Sequence, residues 1–164
     1  MKLHLQRNDA MDQATRARLL NQRGADIDCQ LLPGAKKPFC AYLDSNAYDL
    51  YAYEEATIQP GQTKKISTGV MFRIPVGTSG LVQGRSGMTV RGLQVALGLI
   101  DSNYRGVVYV SIYNSTKQLQ INPKDLRMAQ ILFVSTPLRN LNIVSDITGD
   151  ETERGTGGYG SSGI

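Results

Sequence analysis

Histidine occurs once in this sequence, at His4, and cysteine only twice, at Cys29 and Cys40. A metal centre or nucleophile–base relay built on histidine is therefore not expected. The cysteines have no metal-like spacing and no disulfide role in a reducing compartment, so both read as small, buried or half-exposed side chains. Long apolar runs are also missing. No stretch reaches the roughly eighteen apolar residues of a membrane span, and the opening Met-Lys-Leu-His-Leu-Gln-Arg is too short and interrupted for a signal peptide. A cytoplasmic setting without membrane association follows as an expectation. Dense Lys/Arg blocks are absent too. The net charge of +4 favours a polyanionic partner, yet Arg73, Arg85, Arg91, Arg105, Arg127, Arg139 and Arg154 stand singly, several beside Gly or Ser. Such spacing suits discrete phosphate contacts, hence a small phosphorylated ligand, and no stable nucleic-acid binding is expected.

What is present is ordinary globular composition: 164 residues, 41% hydrophobic and 20% charged, about one domain. Leu3 and Leu5 alternate with polar residues as in a short strand. Asp9 has the chemistry of an N-cap, Met11, Ala14, Ala17 and Leu20 fall near helical spacing, and Gly24 stands where a C-cap would, predicting one short helix over 10–23. Residues 25–37, with Pro33-Gly34, read as a loop. From Phe39 onward the texture changes to short strand-like runs at 48–53, 57–58, 62–67, 69–73, 79–82, 93–97, 107–114, 118–121 and 127–134. Pro60-Gly61, Pro75-Val76-Gly77, Asn114-Ser115 and Asn122-Pro123 punctuate them, the spacing of an all-β sandwich or barrel. In the best strand Val108, Val110 and Ile112 point one way and Val107, Tyr109 and Ser111 the other, so both faces are largely covered, which hints at burial in an oligomer. The end, from Gly149, is rich in Gly and Ser with little but Tyr159 to pack. It reads as a mobile tail that is also suited to wrapping phosphates.

Four further stretches carry chemistry, each with a plainer alternative. Residues 98–106, Gly-Leu-Ile-Asp-Ser-Asn-Tyr-Arg-Gly, read as a β-hairpin with Asp101 near its tip, where a carboxylate either caps the turn or serves a reaction. Gly84-Arg85-Ser86-Gly87 joins a guanidinium, a hydroxyl and an approachable backbone, or is simply a tight turn. Arg127-Met-Ala-Gln130 places a charge and an amide in a strand that could equally be an edge. Asp49, in residues 44–52, is a second carboxylate whose ordinary role is a salt bridge or cap.

Together and in this order, Ala47-Tyr-Asp-Leu-Tyr-Ala52, Gly84-Arg-Ser-Gly87, Gly98-Leu-Ile-Asp-Ser-Asn-Tyr-Arg-Gly106, Arg127-Met-Ala-Gln130 and Arg154-Gly-Thr-Gly-Gly-Tyr-Gly-Ser-Ser-Gly163 resemble the five motifs of the homotrimeric dUTPases, deoxyuridine 5′-triphosphate nucleotidohydrolases. The resemblance covers roughly residues 39–164, with 3–7 similar to the family's first strand. It implies an all-β, jelly-roll-type β-barrel of the dUTPase-like β-clip kind over 1–148, trimeric about a threefold axis, with a short extra N-terminal helix and a flexible lid at 149–164. The reaction implied is hydrolysis of dUTP to dUMP and pyrophosphate, with Mg²⁺ held by the triphosphate and water and by no direct protein ligand.

Carried over residue by residue, the resemblance implies that Asp101 activates a water for attack at the α-phosphorus and that the backbone at Leu99 and Ile100 reads the uracil edge. Tyr104 would lie under the deoxyribose, and Val95 and Tyr109 would contribute to the substrate pocket. Arg85, Ser86 and Gly87 would hold phosphates; Gln130 and Asp49 would surround the metal waters, supported by Arg127. From the tail, Arg154 would reach the γ-phosphate and Tyr159 cover the uracil, with Gly160, Ser161 and Ser162 around the phosphates. Gly84 and Tyr159 depart from the commoner proline and phenylalanine, and residues 9–38 form a helix-containing insertion through which a protein partner could bind. Two alternatives stand beside this reading. A same-fold dCTP deaminase is disfavoured because Ser111 occupies the position where that family needs a glutamate; the other is a regulatory protein that responds to dUTP.

Overall fold

The computed structural model describes residues 12–21, 24 and 26–147. Helix α1 (Gln13–Asn21) leads into strands β1 (Asp28–Leu31), β2 (Ala47–Tyr51), β3 (Ala56–Ile58), β4 (Thr63–Ser67), β5 (Val70–Arg73) and β6 (Thr78–Gly84). A short helix α2 (Ser86–Val90) follows, then β7 (Leu93–Val95), β8 (Gly98–Ile100), β9 (Tyr109–Asn114), β10 (Gln120–Asn122) and β11 (Arg127–Ser135). The pairings are antiparallel: β2-β11-β6-β8, β4-β9-β7, β1-β5 and β10-β3. This is the strand-rich arrangement expected from the strand spacing, and it is of the jelly-roll type that the resemblance implied, its sheets packed around one core.

That core takes alternate residues from each sheet, as period-two strands require. Leu50, Val82 and Ile131 come from the four-stranded sheet, Ile66, Leu93, Val110 and Ile112 from the three-stranded one, and Val70 and Ile58 from the small pairs; all are essentially inaccessible. Burying each such side chain is worth about 1.5–3 kcal/mol. In β9 the exposed and buried positions alternate, with Tyr109 44% and Tyr113 39% accessible. Only one face of that strand is therefore covered within the chain.

Two buried polar residues lock the layers. Asn114 donates through Nδ2 to the carbonyls of Ile58 (2.9 Å) and Gln118 (2.8 Å), and its Oδ1 accepts from the N–H (3.0 Å) and hydroxyl (2.7 Å) of Thr116. Thr68 donates through Oγ1 to the Val108 carbonyl at 2.7 Å.

Several expectations need correction. The loop at 25–37 contains β1, which pairs with β5 from Asp28↔Arg73 to Leu31↔Val70. Its four side chains are all exposed, so no apolar alternation marked it; the backbone ladder and the Arg73–Asp28 ion pair (2.9 Å) hold it. Residues 28–31 thus belong to the sheet framework. Helix α1 begins at Gln13 and is capped by Asp12, which accepts from the Thr15 N–H (2.8 Å) and hydroxyl (2.6 Å). The Thr15 bonds, the side-chain one foremost, hold the Asp12 carboxyl below its usual range. This cap therefore acts above the ordinary carboxylate pKa and is lost as pH falls through the lowered value. Asp9 and the strand expected at 3–7 lie outside the described residues. The tight-turn alternative for residues 84–87 gives way to helix α2, which starts at Ser86 and carries the buried Met88.

Replacing Asn114 by alanine removes four hydrogen bonds, although the Thr116 hydroxyl and the Gln118 carbonyl still bond each other. We expect a loss of about 2–3 kcal/mol and a thermal midpoint lower by about 5–10 °C in a calorimetric melt; an unchanged midpoint would show that water replaces these bonds at no cost.

Candidate functional site

Residues 98–106 form a corner between two sheets. The expected hairpin pairs only at its base, where β7 meets β9 from Leu93↔Asn114 to Val95↔Ile112 and the Ala96 N–H donates to the Ser111 carbonyl at 2.9 Å. Beyond Ala96 the arms part. Gly98–Ile100 leaves β9 and joins β6 as the last strand of the other sheet. An edge strand has one row of backbone donors and acceptors outside its sheet, so 98–100 can offer theirs to a ligand.

The turn that follows is closed without the Asp101 carboxylate. The Tyr104 N–H donates to the Asp101 carbonyl at 3.1 Å. Arg105 Nη1 donates to the carbonyls of Ser102 (2.7 Å) and Tyr104 (2.8 Å). Among the described residues the exposed Asp101 carboxylate has no hydrogen-bond partner, so the turn-cap alternative falls. Arg105 Nη1 is thus taken up by its own turn, and Arg73 and Arg91 bond Asp28 and the Ile121 carbonyl. Tyr104 donates its hydroxyl to the Val107 carbonyl at 3.0 Å. Its ring lies over Gly106, where a Cβ would come within 2.7 Å of Tyr104 Cζ. Glycine at 106 is thus what lets the ring settle.

The second group of residues gathers on β2, β11 and β6. Asp49 accepts from Arg85 Nε through Oδ1 (2.8 Å) and from Arg127 Nη1 through Oδ2 (3.2 Å), with its side chain 13% exposed. Arg85 Nη1 also donates to the Arg127 carbonyl at 3.0 Å. With Nε and Nη1 engaged, Nη2 has no partner among the described residues. Phe39 fixes the backbone of Asp49 through reciprocal N–H···O bonds of 3.1 and 2.8 Å. Its ring also lies 5.9 Å from the Arg127 guanidinium carbon, within cation–π range.

A bulge in β11 makes this cluster. In an unbroken strand Arg127 would share a face with Ala129, and Gln130 with Met128. The register instead shifts by one between Arg127↔Tyr51 and Ala129↔Leu50. Met128 and Ala129 are therefore both fully buried, while Arg127 and Gln130 both turn toward Asp49. Gln130 stands directly opposite Asp49 on β2 and opposite Gln83 on β6.

Arg85 is the residue before α2 and keeps extended backbone angles. The first intrahelical bonds are donated by Met88 and Thr89, so the N–H groups of Ser86 and Gly87 are not used by the helix. A Cβ on Gly87 would meet nothing within 4 Å, so packing does not demand glycine there.

Val95 is half-buried against the core and against the Gly84 backbone, where an added Cβ would sit 3.2 Å from it. Tyr109 lies on the open face of β9 with the Lys65 ammonium 4.1 Å from its ring centroid. Leu99 is 60% exposed at the corner. Arg154, Tyr159, Gly160, Ser161 and Ser162 lie outside the described residues.

The structure thus forms two groups, Leu99–Ile100–Asp101–Tyr104 at the corner and Asp49–Arg85–Arg127–Gln130 on the sheet. It does not bring them together within one chain. Ile100 pairs with Gly80, so the corner sits at the Ser79 end of β6 while Arg85 follows its other end. Six extended residues separate these ends by about 20 Å. Phe39 and Gln83 were not legible as site residues, because only the register places them. No group of three His, Cys, Asp or Glu converges among the described residues. An open cleft of about 610 Å³, lined by Ile27, Cys29, Tyr48, Phe72 and Phe133 among others, contains neither group.

Known proteins resemble this chain in sequence and in fold. The dUTPase family model matches residues 35–163. A deoxyuridine 5′-triphosphate nucleotidohydrolase of Paramecium bursaria Chlorella virus 1 is 32% identical over 136 residues, 82% of this chain and 95% of that protein. The enzyme of the same name from Mycobacterium leprae strain TN is 39% identical over 142 residues, 82% and 92%. Among solved structures, Staphylococcus bacteriophage 80alpha dUTPase with dUPNHPP superposes with a TM-score of 0.77 at 25% identity, covering 86% of this chain and all of that one. A phage phi11 dUTPase structure, described for coordination of a structural Mg(II) ion, shares the fold with a TM-score of 0.71 at 20% identity, over 76% and 99%. Matched along most of its length by the family model and by relatives above 30% identity, the chain belongs to the dUTPase family.

Proposed function

We propose that this protein hydrolyses dUTP to dUMP and pyrophosphate, each active site being completed between copies of the chain. The observation that carries the reading is the pairing of an uncommitted carboxylate at Asp101 with an arginine cluster about 20 Å away along the same strand. Asp101 accepts a proton from the water that attacks the α-phosphorus. The free edge at Leu99 and Ile100 meets the uracil's donors and acceptors, and cytosine presents the wrong pattern there. Such mispairing in a desolvated site rejects a near-isostere by about four to five orders of magnitude. Tyr104, held by Val107 and seated on Gly106, packs under the sugar and leaves no room for a 2′-hydroxyl. Val95 and Tyr109 complete the pocket.

Arg85, Ser86 and Gly87 hold the phosphates, with Ser86 beside the leaving oxygen where negative charge grows. The donor set near Arg85, neutral amides and one carboxylate already shared by two arginines, fits a hydrated Mg²⁺ approached through its waters better than direct ligation. Gln130 and Asp49 would face those waters, and the ion, when bound, offsets the charge of the triphosphate. Arg154, Tyr159, Gly160, Ser161 and Ser162 form a lid that closes over the full triphosphate.

Assembly as a homotrimer brings Asp101 of one chain to Arg85 of another. It is supported by apolar side chains exposed in the single chain, Leu141 at 92% and Ile143 at 95% after β11, and by the open face of β9. Its action is placed in the cytoplasm; among the described residues no helix is long and apolar enough to cross a membrane. The deaminase alternative lacks a carboxylate at Ser111. A regulatory role is a second reading: 80alpha phage dUTPases are described as controlling transfer of virulence genes, and α1 presents an exposed surface to a partner here. Removing 9–26, which spares β1, should abolish partner capture while sparing turnover; unchanged capture removes the idea.

With Mg²⁺ present, pyrophosphate release is expected from dUTP and not from dCTP, dTTP or UTP, and Asp101→Asn should slow it by about 10²–10⁴-fold. If wild type and variant are equally inert on dUTP, the enzyme reading fails. Refolding Asp101→Asn together with Arg85→Ala should restore part of the activity that each lacks alone, because mixed assemblies contain intact sites; no recovery would place each site within one chain. Cutting the chain after Asp150 should leave a folded trimer with very low turnover, and near-normal rates would refute the lid.

A further inference from the structure

Arg85 continues the extended path of β6, so Gln83, two residues earlier, projects from the same face of the sheet. The guanidinium of Arg85 reaches Asp49, which lies two strands away on β2, and bonds the Arg127 carbonyl of the intervening β11 on the way. Two strand spacings amount to about 10 Å, so the arginine must lie across the sheet rather than stand away from it. Beneath it runs a row of directly paired residues, Asp49, Gln130 and Gln83. Paired residues in an antiparallel sheet have Cβ atoms about 5 Å apart. Gln83 therefore occupies the same floor as Gln130, one strand nearer to Ser86 and Gly87.

Both amides are half-buried, and neither bonds a described residue. A half-buried amide with no protein partner bonds water or ligand. Its position beside Arg85 decides which of its atoms matters. The site already offers a carboxylate on the Asp49 side, whereas the Arg85 side gathers donors, and an –NH₂ group extends that set. We propose that Gln83 is a further substrate-binding residue, donating from Nε2 to an oxygen of the β- or γ-phosphate alongside Arg85. The inference rests on the dUTP reading of the site. It adds a contact placed by the pairing of β6 with β11, at a position that no sequence motif marked.

The test is calorimetric titration of the α,β-imido analogue of dUTP, and of dUMP, into wild type, Gln83→Leu and Gln83→Glu, with circular dichroism as the check of fold. Leucine removes the donor at similar size and should weaken the analogue about five- to tenfold while leaving dUMP affinity unchanged. Glutamate adds a charge facing phosphate and should weaken the analogue more than leucine does, increasingly so at low salt. Equal analogue affinity in all three proteins overturns the proposal while leaving the dUTP reading intact. So does a loss that is the same for dUMP as for the analogue, since it would place the effect away from the β- and γ-phosphates. Wild type that binds neither nucleotide overturns the dUTP reading and this contact with it.

Discussion

One extra residue in β11 sets the chemistry of the sheet. Strict alternation from Arg127 to Gln130 would either bury Arg127 with Ala129 and expose Met128, or bury Gln130 with Met128. The bulge removes that choice by taking Met128 and Ala129 inward together. Arg127 is thereby free to meet Asp49, and Asp49 to hold Arg85. An arginine held at two of its nitrogens has lost much of its rotamer freedom before any ligand arrives, so less entropy remains to be lost on binding. Burial of the apolar pair and preorganisation of the charged trio are one event.

The corner at 98–106 depends on a comparable break in regularity. If Gly98–Ile100 had stayed with β9, as β7 does, it would have extended the edge of the three-stranded sheet. By crossing to β6 it keeps one edge outside the sheet. Arg105 closes the turn by donating to its carbonyls, and the Tyr104 N–H is taken by the Asp101 carbonyl, so the Asp101 carboxylate is left out of the turn's bonding. The loop is rigid for reasons separate from the group it presents.

Much of this was legible in the sequence, and the illegible parts have physical causes. Short β-runs and turn residues forecast the strand-rich fold because alternating burial leaves a period-two trace, clearest in β9. Strand β1 left no such trace, since all four of its residues face solvent and only backbone pairing holds it. The ordered motifs located Asp49, Arg85, Asp101, Arg127 and Gln130. They did not show that a bulge reverses the facing of Arg127, that Arg105 folds back on its own turn, or that Phe39 and Gln83 adjoin Asp49 and Gln130. Those facts depend on register and on contacts distant in sequence, which residue spacing does not encode.

The length of β6 has a consequence for inheritance of faults. A strand that sets the proposed base-reading corner and the proposed phosphate cluster at its opposite ends makes each chain, in the proposed trimer, a contributor to two different sites. A single damaged copy carrying faults at both ends would spoil two sites out of the three while its neighbours remain faultless. In a mixed population, lost activity then rises faster than the fraction of damaged chains. In the proposed trimer, seven residues of strand are enough to make catalysis a collective property.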